Sequence, residues 1–187
     1  VVWIVGFAVL TELATPKSAP ISSRRRSPRS AILRGMSEFT HLDADGRARM
    51  VDVGHKPPLR RTAIAEGFLV AAAGTLDRLE VGDLPKGEAL AVARIAGIQA
   101  AKRCDTLIPL CHTLPLDSVA VAFERAAPDR LRVTATATIT ARTGVEMEAL
   151  TAASVALLTV WDMVKGIDSE LAIEGVRLLE KRKEPTT

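Results

Sequence analysis

The segment from Thr143 to Lys165 constrains the fold more than any other part of this chain. Its middle, residues 152–160, is almost wholly apolar, which predicts one long helix packed in a core. A helix that served only a core would carry no ionisable side chains, yet this one carries them near both ends. They are Glu146, Glu148, Asp162 and Lys165.

Structural roles account for part of this charge. Thr143 and Glu146 have the spacing of a capping box, which predicts Thr143 as the N-cap with Glu146 reaching back to it. Glu148 lies in the first turn, where the helix dipole stabilises an anion, so a structural and a functional role are equally open. Asp162 and Lys165 lie three residues apart on one helical face, so they could form an ordinary intrahelical ion pair or belong to a functional site.

The pattern of apolar residues predicts four strands and three helices. The clearest strand, Leu131–Thr140, alternates strictly between apolar and polar side chains. The other predicted elements are strands at 62–71, 119–123 and 171–179, and helices at 75–80, 88–103 and 143–165. This order predicts a single α+β domain, a ferredoxin-like antiparallel sheet packed with helices, with one extra short helix. Residues 40–56 are polar and precede two prolines, which predicts a loop.

Composition agrees with one globular domain. The chain has 187 residues, of which 48% are apolar and 25% charged. Residues 1–35 have a net charge of +5 within a total of +3, which leaves −2 for the rest. That acidic body has few aromatic residues, so the platform that binds single-stranded nucleic acid is missing and we expect no nucleic-acid partner.

The N-terminal region could contain one of two kinds of targeting signal. Val1–Leu10 is apolar but too short to span a bilayer, and the basic residues follow it, unlike those of a secretory signal. Ser22–Ser30 is rich in Arg and Ser, so an organellar transit peptide stays open. The simpler interpretation is a disordered leader, residues 1–35, upstream of a natural start at Met36. We therefore expect a cytoplasmic protein with no membrane partner.

The cysteines favour a reducing compartment and give no metal site. Two cysteines, Cys104 and Cys111, are too few for a disulfide framework. With His112 they make three potential ligands, whereas a structural zinc site needs about four. We expect no metal and no cofactor.

Several strings in the same order along the chain carry a resemblance to a known family. They are Thr40-His41, Met50–Val53, Lys86-Gly87, Ala91–Arg103, Leu107–His112 and Thr143–Lys165. Together they resemble the MoaC family, the cyclic pyranopterin monophosphate synthases of molybdenum cofactor biosynthesis. The resemblance runs from about Met36 to Lys181, which predicts a synthase domain at 36–181 and a charged tail at 182–187.

The resemblance implies the activity of a lyase and a particular oligomeric state. The substrate would be 3′,8-cyclo-7,8-dihydro-GTP, a small nucleotide-derived molecule, and the products cyclic pyranopterin monophosphate and diphosphate. Such chemistry needs cations to stabilise the departing diphosphate and groups that transfer protons. The family also implies a homohexamer, a trimer of dimers, with sites between subunits.

The matching positions give the candidate site. Lys86 and Lys165 are the expected catalytic lysine pair, and Asp162 the expected general acid or base. A solvated loop is the alternative for Lys86, and the substrate-binding arginine is Arg61 unless the match is shifted by one residue to Arg60. The expected substrate-binding residues are Leu110, Cys111, His112, Glu146, Met147, Glu148 and Arg61.

Helix geometry bears on assembly. Glu148 and Asp162 are fourteen residues apart, about 21 Å along a straight helix at the usual rise per residue. Either an elongated nucleotide bridges them or a second subunit completes the site.

Two departures from the family pattern motivate alternatives. The family's Cys-His-Pro-Leu is Cys111-His112-Thr113-Leu114 here, and its C-terminal Gly-Gly-Lys-Ser-Gly is replaced by the charged residues after Lys181. One alternative is a non-catalytic paralogue that binds a nucleotide or a partner. The other is a binder of nucleic acid or anionic surfaces that uses the Arg24–Arg34 arm.

Overall fold

The computed structural model describes Asp45 and residues 47–186. The strands are β1 Leu59–Val70, β2 Ser118–Ala127, β3 Arg130–Ala141 and β4 Ala172–Glu184. The helices are α1 Ala73–Val81, α2 Ala89–Ala101, the short α3 Cys104–Leu107 and α4 Glu146–Val164. The predicted leader, residues 1–35, and the first part of the predicted loop lie outside the described residues.

The four strands form one antiparallel sheet in the order β2-β3-β1-β4. With the chain order β-α-α-β-β-α-β and a short α3, this is a ferredoxin-like α+β domain, and the predicted fold class is confirmed. α3 is the one element that the sequence pattern missed among the described residues, because a single turn shows no apolar periodicity.

Small side chains on one face of the sheet allow α4 to pack closely. Ala63 and Ala65 of β1 and Ala135 and Ala137 of β3 are at most 1% exposed. At Gly67, also on β1, an added Cβ would lie 2.6 Å from a methyl group of Leu157, a core residue of α4. The side chains of the sheet are therefore small where the helix crosses it.

A second close contact joins α4 to α2. An added Cβ at Gly97 would lie 2.8 Å from the carbonyl oxygen of Ala152 and 3.2 Å from the Cβ of Ala156. Within the described part of the chain, α4 is also the one helix long and apolar enough to cross a membrane. Since it packs against both α2 and the sheet, it is the core helix of the domain.

The start of α4 differs from the prediction. The helix begins at Glu146, its N-cap is Val145, and no side chain caps it, so the capping box of Thr143 and Glu146 is wrong. The Glu146 carboxylate instead folds over Gly144, where a Cβ would lie 1.8 Å from Oε2. Its Oε1 lies 3.5 Å from Nζ of Lys181, a tertiary contact that the local spacing does not contain.

The last strand is longer than predicted. β4 continues from the expected end at residue 179 to Glu184, and it pairs with β1 so that Lys183 lies opposite Arg61 and Glu184 opposite Arg60. Its charged side chains are exposed on an edge strand, where Lys and Glu side chains are well tolerated. The apolar pattern did not predict this extension because residues 180–184 are all charged.

The close contact at Gly97 predicts a stability effect. Gly97→Ala should lower the free energy of unfolding by about 1–3 kcal/mol, because its methyl group overpacks the α2–α4 interface. Gly74→Ala is the matched control, since a Cβ at Gly74 in α1 meets nothing within 4 Å. Thermal melts should show a lower Tm for the first variant and an equal or higher Tm for the second. Equal effects would contradict the proposed overpacking.

Candidate active site

An open groove of about 310 Å³ lies beside the N-terminal end of α4. Its walls come from the segment before β1, the turn after α3, and the start of α4. The lining residues are Val51, Val53, Lys56, Leu110, Cys111, His112, Leu114, Thr143, Gly144, Glu146, Met147 and Glu148. The structure thus brings together six of the seven predicted substrate-binding residues.

Backbone turns after α3 carry Leu110, Cys111 and His112 to the groove. The Ile108 N–H donates to the Cys104 carbonyl at 2.8 Å, and the Cys111 N–H donates to the Ile108 carbonyl at 3.1 Å. His112 then reaches across to the opposite wall, where its Nε2 lies 3.0 Å from the Val51 carbonyl oxygen. A carbonyl only accepts, so this contact requires the hydrogen on Nε2.

Glu148 is the buried acid of the groove. It is 3% exposed, and burial raises its pKa. Its own backbone N–H lowers the pKa, while the negative charges of Glu146 and Asp105 raise it further. None of the groups that shift it is a cation, so the carboxyl stays protonated to higher pH than usual and can donate a hydrogen bond.

The two cysteines are neutral thiols. Burial raises the pKa of Cys104 to about 12, and its sulfur lies 3.5 Å from the Thr151 hydroxyl oxygen. Burial also raises the pKa of Cys111, which is half-buried at the groove. Among the described residues, no group of three or more His, Cys, Asp or Glu side chains is arranged to hold a metal ion.

A second cluster joins Lys86, Asp162 and Lys165 at the other end of α4. Lys86 Nζ donates to Asp162 Oδ2 at 2.9 Å and to the Asp162 carbonyl oxygen at 2.7 Å. Lys165 Nζ lies 2.6 Å from Asp162 Oδ1. Two ammonium groups around one carboxylate leave an excess positive charge, which suits an anionic ligand. An intrahelical ion pair alone does not explain Lys86, which comes from a distant loop.

The loop before α2 delivers Lys86 to this cluster. Gly87 has φ of 86°, a left-handed conformation that favours glycine, and its N–H donates to the Leu84 carbonyl at 3.0 Å. Lys86 thereby turns toward the last turns of α4. The hydrogen bonds from Lys165 and then Lys86 lower the pKa of Asp162 to about 2, so this carboxylate is ionised throughout the neutral range.

Within one chain, the groove residues and the cluster of Lys86, Asp162 and Lys165 do not come together. α4 is an unbroken helix of 19 residues, with Glu148 in its first turn and Asp162 near its end. At the usual rise per residue, a helix of this length places them about 21 Å apart. The groove lining contains neither Lys86 nor Asp162 nor Lys165.

Arg61 lies beside the groove and not in it. It is 8% exposed, and its guanidinium donates to the carbonyl oxygens of Ala141 at 2.9 Å and Arg142 at 3.2 Å. It also lines a narrow cleft shared with Gly144 and Lys181. Arg60 is exposed on the neighbouring position. Arg61 therefore holds the turn that leads into α4, and substrate contact by it stays a prediction.

Sequence reasoning missed part of the groove wall. Val51, Val53 and Lys56 line it, although the candidate residues included none of them. The string Met50–Val53 already belonged to the resemblance and could have indicated this wall. Lys181, which contacts Glu146, was likewise not among the candidate site residues.

The raised pKa of Glu148 predicts a pH-dependent stability. A carboxyl whose folded-state pKa lies above its ordinary value of 4.5 stabilises the fold at low pH and loses that contribution as the pH rises through the folded-state pKa. Glu148→Gln should therefore raise the Tm at pH 7 to 8, by about 2–4 °C for each kcal/mol recovered. Thermal melts from pH 4 to 8 should show the difference from wild type shrinking toward low pH. A constant difference would contradict it.

Comparisons with known proteins give the family. A family model described as "MoaC family" matches residues 50–184. The cyclic pyranopterin monophosphate synthase of Novosphingobium aromaticivorans is 56% identical over 147 residues, which cover 79% of this chain and 93% of that protein. Those of Corynebacterium efficiens and Roseiflexus sp. strain RS-1 are 54% and 55% identical, over 78% of this chain and 94% and 93% of theirs. The chain belongs to the MoaC family.

Proposed function

We propose that this chain is a lyase of molybdenum cofactor biosynthesis that converts 3′,8-cyclo-7,8-dihydro-GTP to cyclic pyranopterin monophosphate and releases diphosphate. The observation that carries the proposal is the sequence identity of 54–56% to relatives named cyclic pyranopterin monophosphate synthase, over 93–94% of their length. We place the enzyme in the cytoplasm, with a nucleotide-derived small molecule as its ligand and no nucleic-acid partner.

The two carboxyl groups suit different proton-transfer roles. Glu148 has a raised pKa and Asp162 a pKa of about 2, so one can act as an acid while the other is a charged base. Ring formation from a purine-derived substrate requires both kinds of transfer. Lys86 and Lys165 supply the positive charge that a departing diphosphate needs.

We further propose that the working site forms between subunits of a homohexamer, a trimer of dimers. The groove and the Lys86, Asp162 and Lys165 cluster lie at opposite ends of one continuous helix. A neighbouring subunit that brings its cluster to this groove would place all the candidate residues around one substrate. The alternative within one chain is a ligand long enough to span α4.

Loss of either lysine should nearly abolish turnover. Lys86→Ala and Lys165→Ala each remove an ammonium group proposed to stabilise departing phosphate, so we expect a fall in kcat of about a hundredfold or more. Lys102→Ala, at an exposed position outside both clusters, is the control. The assay is diphosphate release and pterin formation from enzymatically made substrate, with melts to verify folding.

Near-normal turnover at saturating substrate would remove that lysine from the catalytic group. Ligand binding without turnover by the unaltered chain would instead support the non-catalytic paralogue.

Mixing experiments test the shared site. An inactive Glu148→Ala chain and an inactive Asp162→Ala chain should complement when they are unfolded together and reassembled. In a mixed pair one site carries both lesions and the other neither, so about a quarter of wild-type activity should return on random pairing. Confirmed mixed oligomers without recovered activity, or an active monomer by light scattering, would place the whole site in one chain.

A further inference from the structure

We infer that Lys56 is a further substrate-binding residue, whose ammonium group binds a phosphate of the nucleotide from the groove wall that precedes β1. This rests on the proposed function, since it names the residue of the groove that meets the anionic part of the ligand. Lys56 is one of the lining residues, is exposed, and was not among the candidates from the sequence.

The charge of the groove lining is the first support. Among the described residues that line it, Lys56 is the one Lys or Arg, whereas Glu146 and Glu148 are both acidic. A groove with this balance repels a polyphosphate unless a cation meets it. Lys86 and Lys165 belong to the other cluster, so within the groove lining the ammonium group of Lys56 is the cation that a phosphate of the proposed substrate would meet.

The positive charge of Lys56 is not used within the described structure. No salt bridge joins it to a carboxylate of the described residues at 4 Å or less. The nearest alternative role is neutralisation of Glu146, but that carboxylate is already paired with Lys181 at 3.5 Å. The ammonium group is thus available to a ligand.

Three hydrogen bonds hold the segment that carries Lys56. The Gly54 N–H donates to Asp52 Oδ1 at 2.8 Å, and the Lys56 N–H donates to the Val53 carbonyl at 3.0 Å. His112 binds the Val51 carbonyl at 3.0 Å. A hydrogen-bonded turn therefore places Lys56 on the groove wall. The same segment is hydrogen-bonded to His112, which is a predicted substrate-binding residue.

The test compares a charged and an uncharged probe. In isothermal titration with the full chain, GTP should bind Lys56→Ala at least about tenfold more weakly than wild type, the size expected for a lost charge-assisted hydrogen bond. Guanosine, which lacks phosphates, should bind both proteins equally. Lys56→Arg should restore most of the GTP affinity, and Lys102→Ala should change neither.

Two outcomes would overturn the assignment. One is equal GTP affinity in Lys56→Ala and wild type, or an equal loss for guanosine, which would give Lys56 a structural role. The other is a wild-type protein that binds GTP no better than guanosine. With the true substrate, the change should fall on KM more than on kcat. Failure of the proposed function is separate, because it would show as no turnover by wild type while the binding comparison still decides the role of Lys56.

Discussion

The close approach of α4 to the sheet determines where Glu146, Met147, Glu148 and Asp162 lie. Glycine at 67 and 97 and alanines on β1 and β3 remove the side chains that would hold the helix away. Overpacking such an interface costs free energy, so the helix has little freedom to bend or shift. A continuous helix of 19 residues then sets the distance between its acidic start and the cluster at its end.

The same helix separates two electrostatic environments. At its start, Glu148 is buried without a cation and its pKa rises. Near its end, Asp162 is solvated between two ammonium groups and its pKa falls to about 2. Burial dominates in the first case and hydrogen bonds from Lys165 and Lys86 in the second. The fold thus shifts the pKa values of two carboxyl groups on one helix in opposite directions.

Local patterns sufficed for most of the fold and failed where tertiary contacts decide. The apolar run of α4 and the alternation of β3 were visible in the sequence, as was the order of elements. The predicted capping box at the start of α4 was wrong because Glu146 pairs with Lys181, which is distant in sequence. Likewise, the contact between His112 and Val51 spans 61 positions, and no spacing rule contains it. Lys56 escaped notice for that reason.

The end of β4 bears on the departure from the family pattern. The residues that replace the family's glycine-rich segment are not a detached tail, since Lys183 and Glu184 pair with Arg61 and Arg60 of β1. Extension of the strand positions Lys181 against Glu146 at the groove rim. A cation carried on a paired strand is better ordered than one on a glycine-rich loop, since less conformational entropy remains to be lost on binding. The altered C-terminus therefore changes how this part of the site is held, and it gives no reason by itself to favour a non-catalytic paralogue.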